Sequence, residues 1–157
     1  MYTAGTTNNI IPETAHIVGT IRTVSERTRA TVHDHIRCVA EKIAEAHGAT
    51  AEPEVILGYP VTSNSDEFAD FTLDVAGDVL GPQNVHRMPN PIMGAEDFSY
   101  VLQRVPGTMM FLGGTHRDRD ARTAAANHSN LVVFDEDAML DGVTLYSTMA
   151  LRHLGVS

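Results

Sequence analysis

Cysteine is nearly absent. Cys38 stands alone in 157 residues, so no internal disulfide can form and a reducing, cytoplasmic setting is expected. Basic charge is scarce as well: eleven Lys plus Arg against twenty Asp plus Glu leave a formal charge of −9. Such a surface repels phosphate backbones, so nucleic acid is not an expected partner. Lys42 is the sole lysine, which we read as coding bias without functional content. No apolar run approaches the roughly 18 residues that cross a bilayer, so no membrane partner is expected. Residues 1–5 lack the basic and apolar stretches of a secretion signal. H-E-x-x-H, C-x-x-C and G-x-S-x-G spacings are missing, which leaves no self-contained zinc or serine-nucleophile motif. What is present is 43% hydrophobic content, enough to build the core of one ordinary domain or two small ones.

Periodicity then predicts an α/β chain. Residues 9–24 alternate around Ile17, Gly19, Ile21 and Thr23 as a strand does. Ser25 is a helix N-cap, and Val32, Ile36, Val39, Ala40 and Ile43 repeat on one face up to Gly48, predicting a helix over 26–47. Residues 54–61 read as a second strand, completing a β-α-β unit, with the Pro60 to Asn64 connection as the natural internal boundary. Beyond it, Phe68, Phe71, Val75, Ala76 and Val79 stripe a helix ended by Gly81-Pro82. Short strands are predicted at 84–87 and 109–112, with a helix over about 96–104 between them. Residues 115–130 show no usable period, and loops of that length are more often functional or disordered than idle. Asp135 is expected to cap a last helix reaching about Leu154.

Three constellations carry chemistry. Asn9 offers a donor and an acceptor, and Arg22 on the following strand presents a planar fork that holds a carboxylate through two parallel bonds. Turn chemistry at Asn9 and a solvated Arg22 remain the plain alternative. Gly94, Glu96 and Asp97 stand before a helix, where carboxylates serve either as acid–base groups or as ordinary capping. Adjacent helical residues diverge by about 100°, so Glu96 and Asp97 do not face one substrate together. His128, in Asn127-His128-Ser129-Asn130, is a loop imidazole of the kind that binds zinc; alone, it reads more readily as an ordinary surface histidine.

Taken in order, Asn9-Ile-Ile-Pro12, Gly19-Thr-Ile-Arg22, Tyr59-Pro60 with Asn64, Met93-Gly-Ala-Glu-Asp-Phe-Ser-Tyr100, Pro106-Gly107 with Leu112-Gly113, and His128-Ser-Asn with Phe134-Asp-Glu136 resemble one family. It is the group of metallohydrolases comprising N-acyl-amino-acid amidohydrolases, hippurate hydrolases and auxin-conjugate hydrolases, relatives of aminoacylase and carboxypeptidase G. The resemblance covers nearly the whole sequence, and residues 93–100 are its most specific part.

The resemblance implies an enzyme that hydrolyses the amide bond of N-acyl amino acids or similar conjugates by attack of a metal-bound water. It implies a binuclear divalent-metal site of the zinc type, with His128 matching the last ligand, and Asn9 and Arg22 matching the residues that hold the substrate carboxylate. Gly94 and Glu96 match the pocket wall. It also implies homodimerisation through a lid. Residues 1–62 correspond to part of that lid/dimerisation domain, and 63–157 to the C-terminal part of the catalytic domain. No Cys-Gly-His-Asp or Glu-Glu stretch is present to match the family's first metal ligands and general base. The chain is therefore expected to be a C-terminal portion, inactive alone. A non-catalytic dimerisation or association module is the other reading.

Overall fold

The computed structural model describes residues 1–156 and divides into two compact units, Met1–Val61 with Pro91–Ala95, and Thr62–Asn90 with residues 96–157. In the first unit, β1 (Tyr2–Ala4) pairs antiparallel with β2 (Ala15–Ile17) in the register Tyr2 to Ile17. The N-terminal amine of Met1 extends this ribbon by donating to the Val18 carbonyl at 2.7 Å. The chain leaves β1 through Gly5 at φ 70°, a left-handed conformation that disfavours any side chain.

Helix α1 (Glu26–Ala46) begins where Ser25 Oγ accepts the Thr28 N–H at 3.1 Å. It ends in paired bonds, Gly48 N–H to Glu45 O and Ala49 N–H to Ala44 O, with Gly48 at φ 72°. Those bonds satisfy carbonyls that the helix end would otherwise orphan. The expected apolar stripe lies on α1, but no residue of the helix is buried: Val39 and Ile43 are each 58% exposed. After α1 the backbone returns along the helix start, where Arg29 donates to Gly58 O at 2.8 Å and the Glu26 carboxylate accepts the Val61 N–H at 2.7 Å.

The second unit is built on α2 (Asp66–Leu80) packed against a C-terminal helix, Ala138–His153. Val75 and Ala76 of α2 and Leu145 opposite them form its buried apolar centre. His153 lays its ring near Phe68 and Phe71, with centroids 5.6 and 6.2 Å away, and Arg152 pairs with Asp78 at 2.6 Å. Gly81, at φ 89°, ends α2 before a 3₁₀ turn at Pro82–Asn84. A short helix, α3 (Phe98–Leu102), follows, so the C-terminal helix is α4.

The chain is thus a mixed α/β fold, but its strand content is smaller than the alternation suggests. Residues 19–24, 54–61, 84–87 and 109–112 carry no sheet ladder, and 82–84 wind into the 3₁₀ turn. Alternation prescribes an extended backbone; it does not supply the neighbour whose N–H and C=O groups complete a ladder. The helix expected over 96–104 is confined to Phe98–Leu102. The regular turns of α4 begin after Asp137, which makes no side-chain cap bond, while Asp135 caps the entry as expected, its Oδ1 accepting the Asp137 N–H and its carbonyl the Ala138 N–H, each at 3.2 Å.

Candidate functional site

Arg22 lies in the first unit on the exposed backbone leading from β2 to α1. Its Nη1 donates to the main-chain carbonyl of Met93, seventy-one positions away in sequence. Arg22 is thereby placed beside the Met93-Gly94 peptide, and two of the sequence-selected residues, Arg22 and Gly94, meet in one unit. Gly94 is free of crowding: a Cβ there would have Ile92 Cγ2 as its nearest neighbour, at 3.8 Å. Asn9 is exposed in the bend between β1 and β2, and no hydrogen bond ties it to Arg22.

In the second unit, Glu96 exposes its side chain and uses its main chain structurally. Its carbonyl accepts both the Ser99 hydroxyl, at 2.5 Å, and the Ser99 N–H, at 3.2 Å. Ser99 is wholly buried, and this bond satisfies its hydroxyl. Sequence reasoning assigned Ser99 no role; the available signal was a serine three residues after Glu96 at a helix start, the spacing of local side-chain-to-backbone bonding.

His128 is carried by the long loop foreseen over 115–130. The base of that loop is closed by an isolated antiparallel bridge between Thr115 and Phe134, with Asp135 N–H donating to Gly114 O at 2.9 Å. Arg117 reinforces the closure, reaching Asp137 at 2.9 Å and the largely covered Asp135 carboxylate at 3.5 Å. Within the loop, Arg122 grips Asp120 through Nε and Nη2 at 3.0 and 2.7 Å, which holds the Asp120 carboxyl below its usual range. The imidazole of His128 is exposed on a turn pinned by Ser129 N–H to Ala126 O at 2.8 Å and Leu131 N–H to Ser129 Oγ at 3.1 Å.

The donor set decides what the loop can hold. A catalytic zinc takes three protein ligands. Among the described residues, no group of three or more His, Cys, Asp or Glu side chains is gathered to hold a metal ion. His116, the other loop histidine, is engaged locally, with Nδ1 accepting the Asp118 N–H at 3.3 Å. The residues present therefore do not make a metal site by themselves; His128 offers a single imidazole. Nor does any helix among the described residues have the length and apolarity to cross a membrane.

The sequence model of peptidase family M20/M25/M40 matches residues 7–152, and the chain belongs to that family. It is 33% identical over 150 residues to thermostable carboxypeptidase 1 of Saccharolobus solfataricus, covering 95% of this chain and 37% of that protein. It is 35% identical over 135 residues to N-acetylcysteine deacetylase of Bacillus subtilis, covering 80% of this chain and 35% of that one. Among solved structures, the crystal structure of the Bacillus subtilis YXEP protein, a dinuclear metal binding peptidase from the M20 family, superposes with a TM-score of 0.76. That match has 31% sequence identity and covers 100% of this chain and 41% of the other. The chain thus spans little more than a third of the length of the curated relatives it matches.

Proposed function

We propose that this chain forms part of a metal-dependent amidohydrolase that cleaves the amide bond of N-acyl amino acids or similar conjugates. The observation that carries the reading is the family match over residues 7–152, together with relatives whose names describe removal of an acyl group or of a terminal amino acid. In this reading residues 1–62 are part of a lid through which two copies pair, and 63–157 are the C-terminal part of the catalytic domain.

Arg22 and Asn9 select substrates bearing a free carboxylate. A charge-assisted bond of this kind contributes about 1.5–3 kcal/mol where it is shielded from water. Gly94, lacking a side chain, leaves room for substrate next to the peptide that Arg22 grips, and Glu96 stands at the following turn. His128 supplies one imidazole ligand. A divalent ion of the zinc type, completed by ligands from outside these 157 residues, supplies Lewis-acid chemistry to the amide carbonyl and its attacking water. We place the enzyme in the cytoplasm, in keeping with its lone, unpaired Cys38.

The test is a chimera in which this sequence replaces the matching part of the Bacillus subtilis YXEP protein. Metal-dependent release of the amino acid from hippurate or N-acetylcysteine supports the proposal. A folded, metal-loaded chimera without activity on any N-acyl amino acid sinks it in favour of a non-catalytic association module.

A further inference from the structure

The segment Pro91–Ala95 departs from its chain neighbours. Asn90 before it and Glu96 after it belong to the second unit, whereas the segment itself is part of the first. All five of its residues are exposed, and none is in a helix or strand. The polar tie that holds it is the bond from Arg22 Nη1 to the Met93 carbonyl.

A guanidinium is planar and carries five N–H donors. Nη1 is engaged by Met93, while no hydrogen bond from the opposite edge, formed by Nε and Nη2, is found among the described residues. That edge has the spacing for a side-on, two-bond grip on a carboxylate.

We propose that Arg22 is a positioning residue that tethers the 91–95 strap through the Met93 carbonyl while its free edge takes the carboxylate of an N-acyl amino acid, so that ligand binding and strap order are coupled through one side chain. The proposal rests on the carboxylate-binding role given to Arg22 above. Its energetic content is reciprocal: a carboxylate that immobilises the guanidinium also stiffens the strap, and a seated strap pre-aims the guanidinium for the carboxylate. Lysine does half of this. Its ammonium can donate to Met93 O, but it lacks a second planar edge.

The experiment is limited thermolysin digestion of the full 157-residue chain, with cut sites mapped by mass spectrometry. Cutting before Ile92 and Met93 is scored against cutting before Leu131, an internal reference in the other unit. Without ligand, Arg22→Ala should raise relative strap cutting about fivefold, the population change that goes with one lost hydrogen bond, and Arg22→Lys should restore most of the protection. Millimolar hippurate should slow strap cutting in the wild type and leave it unchanged in both variants.

Equal strap cutting in ligand-free wild type and Arg22→Ala overturns the tether. Strap cutting in the wild type that hippurate accelerates or leaves unaltered overturns the coupling. The underlying carboxylate reading is judged separately by hippurate calorimetry: equal affinity of wild type and Arg22→Ala removes that reading, while the ligand-free comparison still decides the tether.

Discussion

Asn64 and Met109 form a reciprocal pair: the Asn64 side-chain amide donates to the Met109 carbonyl at 3.0 Å, and its Oδ1 accepts the Met109 N–H at 2.9 Å. One side chain thus does for a single residue what a neighbouring strand would do for its backbone. The adjacent Ser65 N–H donates to Gly107 O at 2.9 Å, so the entry to α2 is stitched to the segment running into 109–112. Asn64→Ala removes both side-chain bonds and should cost about 1–2 kcal/mol. Asn64→Asp keeps an acceptor for the Met109 N–H but sets a carboxylate against the Met109 carbonyl. Thermal melts of both variants against wild type check this; an unchanged Tm for Asn64→Ala would show that the pair contributes nothing.

At the start of α1, Ser25→Ala deletes the acceptor of the Thr28 N–H and should destabilise by about 1 kcal/mol, whereas Ser25→Asp should keep the cap. Urea denaturation followed by helical circular dichroism reads the difference.

Helices were largely legible because their determinants are local. Ser25 with the Ile36-to-Ile43 spacing located α1, and the Phe68-to-Val79 stripe closed by Gly81 located α2, each to within a residue or so. Strand pairing and the contacts of the site were less legible because they join distant positions. Nothing near Arg22 in sequence points to the Met93 carbonyl, and nothing near Asn64 points to Met109. Asp135 shows both sides at once. Its position before a helix suits a cap, and its Oδ1 does accept the Asp137 N–H at 3.2 Å, a local bond; that its other carboxylate oxygen meets Arg117, and its main-chain N–H Gly114 O, to help close the His128 loop depends on distant positions.

Glu26 gives the fold a pH dependence. The bond from the Val61 N–H holds its carboxyl below the usual value of 4.5. A folded-state pKa below the unfolded one means that the carboxylate stabilises the fold above the unfolded value, and that this contribution is lost as pH falls through the lowered one. Between pH 7 and pH 3, therefore, the wild type should lose more Tm than Glu26→Gln, which keeps an acceptor for Val61 but cannot titrate. Parallel Tm profiles for the two proteins would show that this contact does not sense pH.

The isolated chain should be inactive and adhesive. One imidazole does not hold a catalytic zinc, so added metal should not elicit hydrolysis of hippurate or N-acetyl amino acids. Its accessible surface is 12819 Å², whereas two compact bodies sharing a mass of 17.0 kDa would expose about 9,000 Å² even when counted separately. Leu140, Val143 and Tyr146 of α4 are 72%, 63% and 81% exposed, a continuous apolar surface of the kind that seeks partners. Concentration-dependent association in sedimentation and strong binding of a hydrophobic dye are the expected results. A monodisperse monomer that binds no such dye, or metal-dependent amidase activity, would contradict this account.

His128 and Arg22 should fail in different ways once this sequence works within an active chimera. His128→Ala deletes a metal ligand, so activity should vanish together with metal stoichiometry measured on the purified protein. Arg22→Ala deletes a substrate contact and leaves the ligand set untouched. Metal content should then stay normal, and kcat/KM should fall about 10- to 100-fold for substrates with a free carboxylate, with little change for the corresponding amides. The pair also reports whether the carboxylate grip crosses between subunits. If Arg22 serves a partner's site, a mixed dimer of the two variants contains one site with both groups intact, and mixing the two proteins should raise activity on the free-carboxylate substrate above that of either variant alone. If heterodimers form and activity does not rise, Arg22 acts on its own subunit's substrate, or on none; the amide comparison in the single variant separates those two cases, because only a residue that touches the carboxylate can discriminate against its absence.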